Sequence, residues 1–143
     1  MAKVVIDANI IVSAAFGGKP LEAMVRATIS HEVYVSSKIE RELREVFLKL
    51  SRKLTEAQLA FIGSKIDELM GMATLVAVSK AVALSRDAKD DHYLSLCREV
   101  RADFLITGDK DLLDIPEGKL KKANIRTRVV NPREFLEEAS KTI

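Results

Sequence analysis

Phe104-Leu105-Ile106-Thr107-Gly108-Asp109-Lys110-Asp111 is the stretch on which the fold turns. Its first four residues make a short, mostly apolar run, the pattern of a strand buried on both faces of a parallel sheet. The run gives way at once to an acidic turn around Gly108. The start of the chain repeats the arrangement: Lys3-Val4-Val5-Ile6 is strand-like and is followed directly by Asp7-Ala8-Asn9. In an open α/β sheet, residues just past the carboxyl ends of the strands gather in one crevice. Two acids that follow two buried strands are therefore expected to face each other.

Between these strands the sequence alternates. Asp7 to Phe16 is apolar and Ala-rich and reads as a helix, which Gly17-Gly18-Lys19-Pro20 breaks. Leu21 to Ser30 reads as a second helix with Pro20 near its start. Val33-Tyr34-Val35 is a short strand, and Ser36 or Ser37 can cap the helix after it. That helix carries Ile39, Leu43, Val46, Phe47 and Leu50 on one face, a 3.6-residue period, with Glu42 on the flank of the stripe. Thr55 to Met70 is a further helix, capped by Thr55 and stopped near Gly71. Thr74 to Val78 reads as a strand, and Asp90 to Arg101 as a helix. Asp111-Leu112-Leu113 reads as one short turn. Ile125 to Val130 alternates like an edge strand, and Arg133 to Ser140 forms the last helix after Asn131-Pro132. Strands alternating with helices specify a three-layer α/β fold with a central, mostly parallel sheet. At 143 residues with no visible boundary, the expectation is one domain over 1–143.

Composition narrows the class. Apolar residues make up 48% and charged residues 31%, which fits an ordered globular chain. Cys97 is the one cysteine, so an internal disulfide and a Cys-rich zinc site are both excluded. Its apolar neighbours suggest a buried small hydrophobe. No stretch has the apolar length of a membrane span, and the first residues lack that of a signal peptide, so the expected place is a reducing cytosol. A net charge of +2 does not by itself mark a nucleic-acid binder. Its distribution says more, because carboxylates gathered in one crevice leave the remaining surface more basic. Lys49, Arg52 and Lys53 form one basic group, and Lys119, Lys121, Lys122, Arg126 and Arg128 another.

Each acid has an ordinary explanation taken alone. Asp7 can cap the helix behind it, Glu42 can sit on a helix surface, Asp90 and Asp91 can favour a helix dipole, and Asp109 can shape a turn. Capping gives no reason for all of them to converge. Convergence is costly unless a cation sits between the carboxylates, and hard divalent ions such as Mg²⁺ or Mn²⁺ take oxygen ligands. Such ions support phosphodiester hydrolysis without a His or Ser nucleophile. Neither His31 nor His92 has a triad-like setting, and His92 reads as a surface residue. Asn9 and Thr107 could orient a carboxylate or a metal-bound water.

The motifs taken together resemble the PIN-domain family, in particular the VapC-type toxins of toxin–antitoxin systems. Val4-Val5-Ile6-Asp7-Ala8-Asn9 resembles the family's opening. Ser36 and Glu42 resemble its Ser and Glu around the helix after the second strand. Arg86-Asp87-Ala88-Lys89-Asp90-Asp91-His92-Tyr93-Leu94 is similar to an Arg-Asp-Pro-Asp-Asp-Asp segment, with Ala88 and Lys89 departing from it. Leu105 to Leu113 is the nearest match, and Asn131-Pro132-Arg133-Glu134-Phe135-Leu136 resembles a common ending. The resemblance implies a Mg²⁺- or Mn²⁺-dependent ribonuclease with RNA as substrate. Its metal-binding, catalytic quartet would be Asp7, Glu42, Asp91 and Asp109, supported by Asn9, Ser36, Asp90, Thr107 and Asp111. It further implies a small antitoxin partner and a homodimer. Lys89 replaces an acid near the site, implying either a weaker second ion site or a phosphate contact. Helical-wheel geometry points Asp90 inward, whereas the family's spacing names Asp91, eighteen residues before Asp109.

Rival readings fit less well. A haloacid-dehalogenase-type phosphatase needs a second Asp where Asn9 stands. The glycines at 17 and 18 lack the spacing of a phosphate-binding P-loop. A binding-only PIN module has no use for clustered negative charge beside RNA, while a housekeeping RNA-processing nuclease shares every motif.

Overall fold

The computed structural model describes residues 1–84 and 88–141. Its five strands are β1 (Lys3–Ile6), β2 (Glu32–Val35), β3 (Thr74–Leu75), β4 (Phe104–Ile106) and β5 (Arg128–Val130). They form a sheet in the order β3-β2-β1-β4-β5, and every neighbouring pair is parallel. Eight α-helices among the described residues flank it: α1 (Ala8–Ser13), α2 (Gly18–Ser30), α3 (Ser37–Leu50), α4 (Glu56–Met72), α5 (Asp91–Val100), α6 (Lys110–Leu113), α7 (Glu117–Lys122) and α8 (Pro132–Lys141). This is the three-layer α/β architecture expected from the sequence.

The two apolar runs sit where their composition demands. Val4, Val5, Ile6, Leu105 and Ile106 have at most 1% exposure, so β1 and β4 are covered on both faces. The Ile39–Leu43 stripe buries α3 toward α1, while Val46, Phe47 and Leu50 further along it are half-buried. Phe135 on α8 is fully buried and meets Phe104 edge-on, with ring centroids 5.5 Å apart. Ser36 is the cap of α3, its Oγ accepting the Ile39 N–H at 3.3 Å. Thr55 caps α4 with a reciprocal bond from Gln58, a capping box.

Several boundaries differ from the sequence reading. The first helix tightens into a 3₁₀ turn at Ala14–Phe16, and the chain re-enters helix at Gly18, before Pro20. Gly17 and Gly18 turn there at φ +79° and +70°, a conformation L side chains rarely adopt, so both glycines make the break. Gly71 lies inside α4, because Ala73 rather than Gly71 supplies the cap N–H to Leu69. β3 has two residues where five were expected. Only its start pairs with β2, and beyond the Val76 N–H bond to Val35 the chain leaves the edge. No sequence signal marks α7: Glu117-Gly118-Lys119-Leu120-Lys121-Lys122 buries just Leu120, too little apolar periodicity for a helix. Of the motif around Asp90, residues 85–87, including Arg86 and Asp87, lie outside the described residues.

Because every strand is parallel, Asp7, Ser36, Val76, Thr107 and Asn131 all follow strand ends at one edge of the sheet. Chain order reverses between β1 and β4, the place where such sheets open a crevice.

Cys97 is fully buried, and burial pushes its thiol up to about 12. The native protein should therefore resist a thiol reagent at pH 8 and react fully once denatured, since the thiolate is the reactive form. Timing the reaction under both conditions checks this; fast labelling of native protein would contradict the packing around α5.

Candidate active site

Asp7 stands at the crevice with 2% exposure. Its backbone N–H bonds to Ile106 O at 2.9 Å, locking the end of β1 to β4. Its side chain does cap α1, with Oδ1 accepting the Asn9 N–H at 3.0 Å. Its other oxygen accepts the Thr107 hydroxyl at 2.7 Å. Thr107 Oγ1 in turn accepts the Asp109 N–H at 3.0 Å, so one buried hydroxyl joins the two acidic turns. Asp109 caps α6 through Asp111 N–H at 2.8 Å. Capping and convergence are thus both present. Asn9 is itself exposed and contributes its backbone N–H to Asp7.

Glu42 reaches the crevice from the flank of α3. Its Oε1 lies 2.5 Å from His92 Nε2, and its Oε2 accepts the Tyr93 hydroxyl at 2.6 Å. An ionised carboxylate only accepts, so Nε2 carries the proton of that bond. Tyr93 completes a link, because its oxygen also accepts the Ala8 N–H at 2.9 Å, one residue past Asp7. The sequence reads His92 as a surface residue and marks no role for Tyr93. In the structure the Tyr93 ring is buried, and the His92 side chain is 9% exposed. The available signal was Tyr93 itself, since a tyrosine on a buried face needs a partner for its hydroxyl.

The electrostatics follow from this packing. Burial holds the Asp7 carboxyl above its ordinary value of 3.8; the bonds from Asn9, Thr107 and Tyr93 pull it down without prevailing, and Glu42 adds to the rise. Burial also pushes Glu42 up. There the hydrogen bonds from His92 and Tyr93, with attraction to His92 and Lys38, outweigh it and leave the group below its ordinary value of 4.5. Burial and the neighbouring carboxylates of Asp7 and Glu42 raise the Tyr93 phenol, so it remains a donor.

The two adjacent acids of α5 take different places. Asp90 occupies the N-cap position but makes no cap bond with its side chain. Carboxylate oxygens of Asp90, Asp109 and Asp111 all lie within 4.8 Å of one another. Asp91 is buried, and its Oδ1 accepts the Leu84 N–H at 3.0 Å. The structure therefore groups Asp90, Asp109 and Asp111 in one place, ties Asp7 to Asp109 through Thr107, and ties Glu42 to the Asp7 turn through Tyr93. Ser36 lies further along the same edge, in a cleft that Asp91 and His92 also line. A set of carboxylates with only oxygen donors suits a hard divalent cation.

A parallel three-layer α/β protein with acids gathered at its carboxyl edge is the class that fold and site define. The comparisons give the family: a model of the PIN domain matches residues 3–111, and the chain belongs to that family. An uncharacterized protein of Methanocaldococcus jannaschii is 32% identical over 150 residues, covering 99% of this chain and 94% of that one. The fold is shared with a chain in the crystal structure of VapBC2 from Rickettsia felis bound to a DNA fragment from their promoter. There the TM-score is 0.57 at 14% identity, over 89% of this chain and 98% of that chain.

The raised Asp7 carboxyl sets a stability prediction. A group whose folded value exceeds its unfolded one costs stability once it ionises, and that cost disappears as pH falls through the folded value toward 3.8. In chelator at neutral pH, Asp7→Asn should melt at a higher temperature than the wild type. The advantage should shrink as pH is lowered. Calorimetric melts across pH check it; a large loss of stability at neutral pH would mean that Asp7 serves chiefly as the α1 cap.

Proposed function

We propose that this PIN-domain protein is a Mg²⁺- or Mn²⁺-dependent endoribonuclease that hydrolyses RNA phosphodiesters. The observation that carries the reading is the grouping of Asp90, Asp109 and Asp111 at the β1–β4 crevice, with Asp7 joined to the Asp109 turn through Thr107 and Glu42 joined to the Asp7 turn through Tyr93. Separate caps have no need of it, and its repulsion is relieved by a cation. Asp7, Glu42, Asp91 and Asp109 are the acids the family pattern names. What supports Asp90 and Asp111 beside them is their grouping with Asp109.

The ion, when bound, would polarise the scissile phosphate and lower the pKa of an attacking water. The chain's own residues prepare the place for it. Thr107 fixes the Asp7 carboxylate and the Asp109 turn in one register. Tyr93 and His92 hold both oxygens of Glu42 and keep it ionised. Asp91 anchors the approach of the 76–84 segment through Leu84 N–H. Burial of the strand ends excludes water from one side of the acids, which strengthens their interaction with a cation.

Toxin activity within a toxin–antitoxin pair is the biological setting we favour, with a small antitoxin protein as partner and a homodimer as the assembly. Its support is the shared fold with the VapBC2 structure together with the motif resemblance. A housekeeping RNA-processing nuclease is the alternative. The presence or absence of a neighbouring antitoxin gene separates the two.

Purified protein should cut single-stranded RNA with Mn²⁺ and stop in excess chelator, and Asp109→Asn should remove nearly all cleavage while the fold persists. The neighbours on α5 give a finer test. Asp90→Asn should lose roughly 100-fold or more in single-turnover rate, as expected for the loss of a group acting on the reacting phosphate. Asp91→Asn keeps an oxygen for Leu84 N–H and should retain a measurable part. A dead Asp91→Asn beside an active Asp90→Asn would return the role to Asp91, as the family's spacing has it. Cleavage that survives the chelator would end the metal-dependent reading.

A further inference from the structure

Beside the acidic crevice, on its β2–β3 side, lies a second cleft of different character. It opens between the first turn of α3, the start of α5 and residues 76–82, with a volume of ≈ 430 Å³. Lys38 and Arg41 stand on one wall; Val76, Val78 and Val82 make up another. Asp91, His92 and Ser95 line the side toward the acids. Ser95 is already satisfied, donating to Asp91 O and accepting Val82 N–H.

Some basic residues of this surface are held by carboxylates. Arg44 pairs with Glu40, Lys65 with Glu68, Arg126 with Asp103 and Arg128 with Glu138. Lys38 and Arg41 are exposed, and among the described residues neither forms an ion pair with a carboxylate. Unpaired cations beside a group of carboxylates could serve to attract them. Here Glu42 has its own donors in His92 and Tyr93, so the cations are left available. Lys38 is still near enough for its charge to act on Glu42, which places the cleft next to the crevice. His92 joins the two: its Nε2 holds Glu42, while its Nδ1 is buried with no partner. A chain crossing from the acids into the cleft would meet two positive charges, then an apolar wall.

We propose that this cleft is a nucleotide subsite, in which Lys38 and Arg41 bind a backbone phosphate of the RNA next to the scissile one and Val76 and Val78 receive its base. The proposal rests on the nuclease reading and names where the substrate strand leaves the acids. Charge complementarity selects a polyanion, and the apolar wall selects one that carries flat, uncharged groups at intervals. A single RNA strand has both, because its bases are unstacked and free to lie on such a wall. The basic residues at the far end of α3, Lys49, Arg52 and Lys53, could extend the path but do not line this cleft.

The test is a titration of labelled single-stranded RNA in chelator, read by fluorescence anisotropy over a series of salt concentrations. Each phosphate contact on a single strand contributes about 0.7 to the slope of log affinity against log salt. Lys38→Gln/Arg41→Gln should bind about tenfold more weakly at low salt and lower that slope by about 0.7, the share of the one phosphate they hold. Lys119→Gln/Lys121→Gln, on α7, should leave it at the wild-type value. In Mn²⁺-supported cleavage, the Lys38/Arg41 variant should need more RNA for half-saturation, with a single-turnover maximum within about threefold of wild type. An unchanged slope and affinity in that variant would overturn the subsite, as would wild-type protein that binds no RNA. Wild type that cuts while the variant binds normally removes the subsite alone. Wild type that binds through Lys38 and Arg41 but never cuts removes the nuclease reading and leaves the subsite in place.

Discussion

The arrangement depends on one buried hydroxyl. Thr107 Oγ1 donates to Asp7 at 2.7 Å and accepts from the Asp109 backbone at 3.0 Å. A carboxylate at the end of a central strand is an expensive thing to bury, and it persists only where donors meet it. Thr107 supplies one donor, the first turn of α1 another, and the register between β1 and β4 brings them together. Val4, Val5 and Ile6 pair with Phe104, Leu105 and Ile106, so the acids after both strands arrive side by side. The apolar runs thus set the positions of the acids as well as the core.

Around that pair the site is polarised. Asp7 pays for burial with a raised carboxyl, whereas Glu42, with two side-chain donors, stays ionised. Two acids in one crevice with opposite shifts are a common feature of functional sites. Tyr93 connects them, because one phenolic oxygen serves Glu42 and the turn after Asp7. The N-cap of α5 brings Asp90 toward Asp109 and Asp111, and its first residue, Asp91, toward the 76–84 segment. One short helix therefore contributes to the crevice and to the cleft beside it.

Much of this was legible in the residues. β1 and β4 were plain because their runs are apolar and end in acids, and α3 because its stripe keeps a strict 3.6 period. The crevice followed from the rule for parallel sheets. What sequence could not supply was direction at the start of α5. Asp90 and Asp91 are adjacent, and at a helix end a small change of backbone angle decides which carboxylate turns inward. The burial of His92 has a different origin that no local pattern carries: α3 packs across it, a contact fifty residues away in sequence. α7 and the short β3 were missed or overdrawn because tertiary pairing, and not local periodicity, sets their limits.

The central claim is that the acids at the β1–β4 crevice form a cation site. Anomalous diffraction from crystals soaked in Mn²⁺ tests it most directly. The account predicts a manganese peak bonded to carboxylate oxygens of Asp109 and Asp90, within reach of Asp7. Crystals that hold manganese only at other surface carboxylates, with the crevice acids still bonded to one another's turns as before, would contradict it.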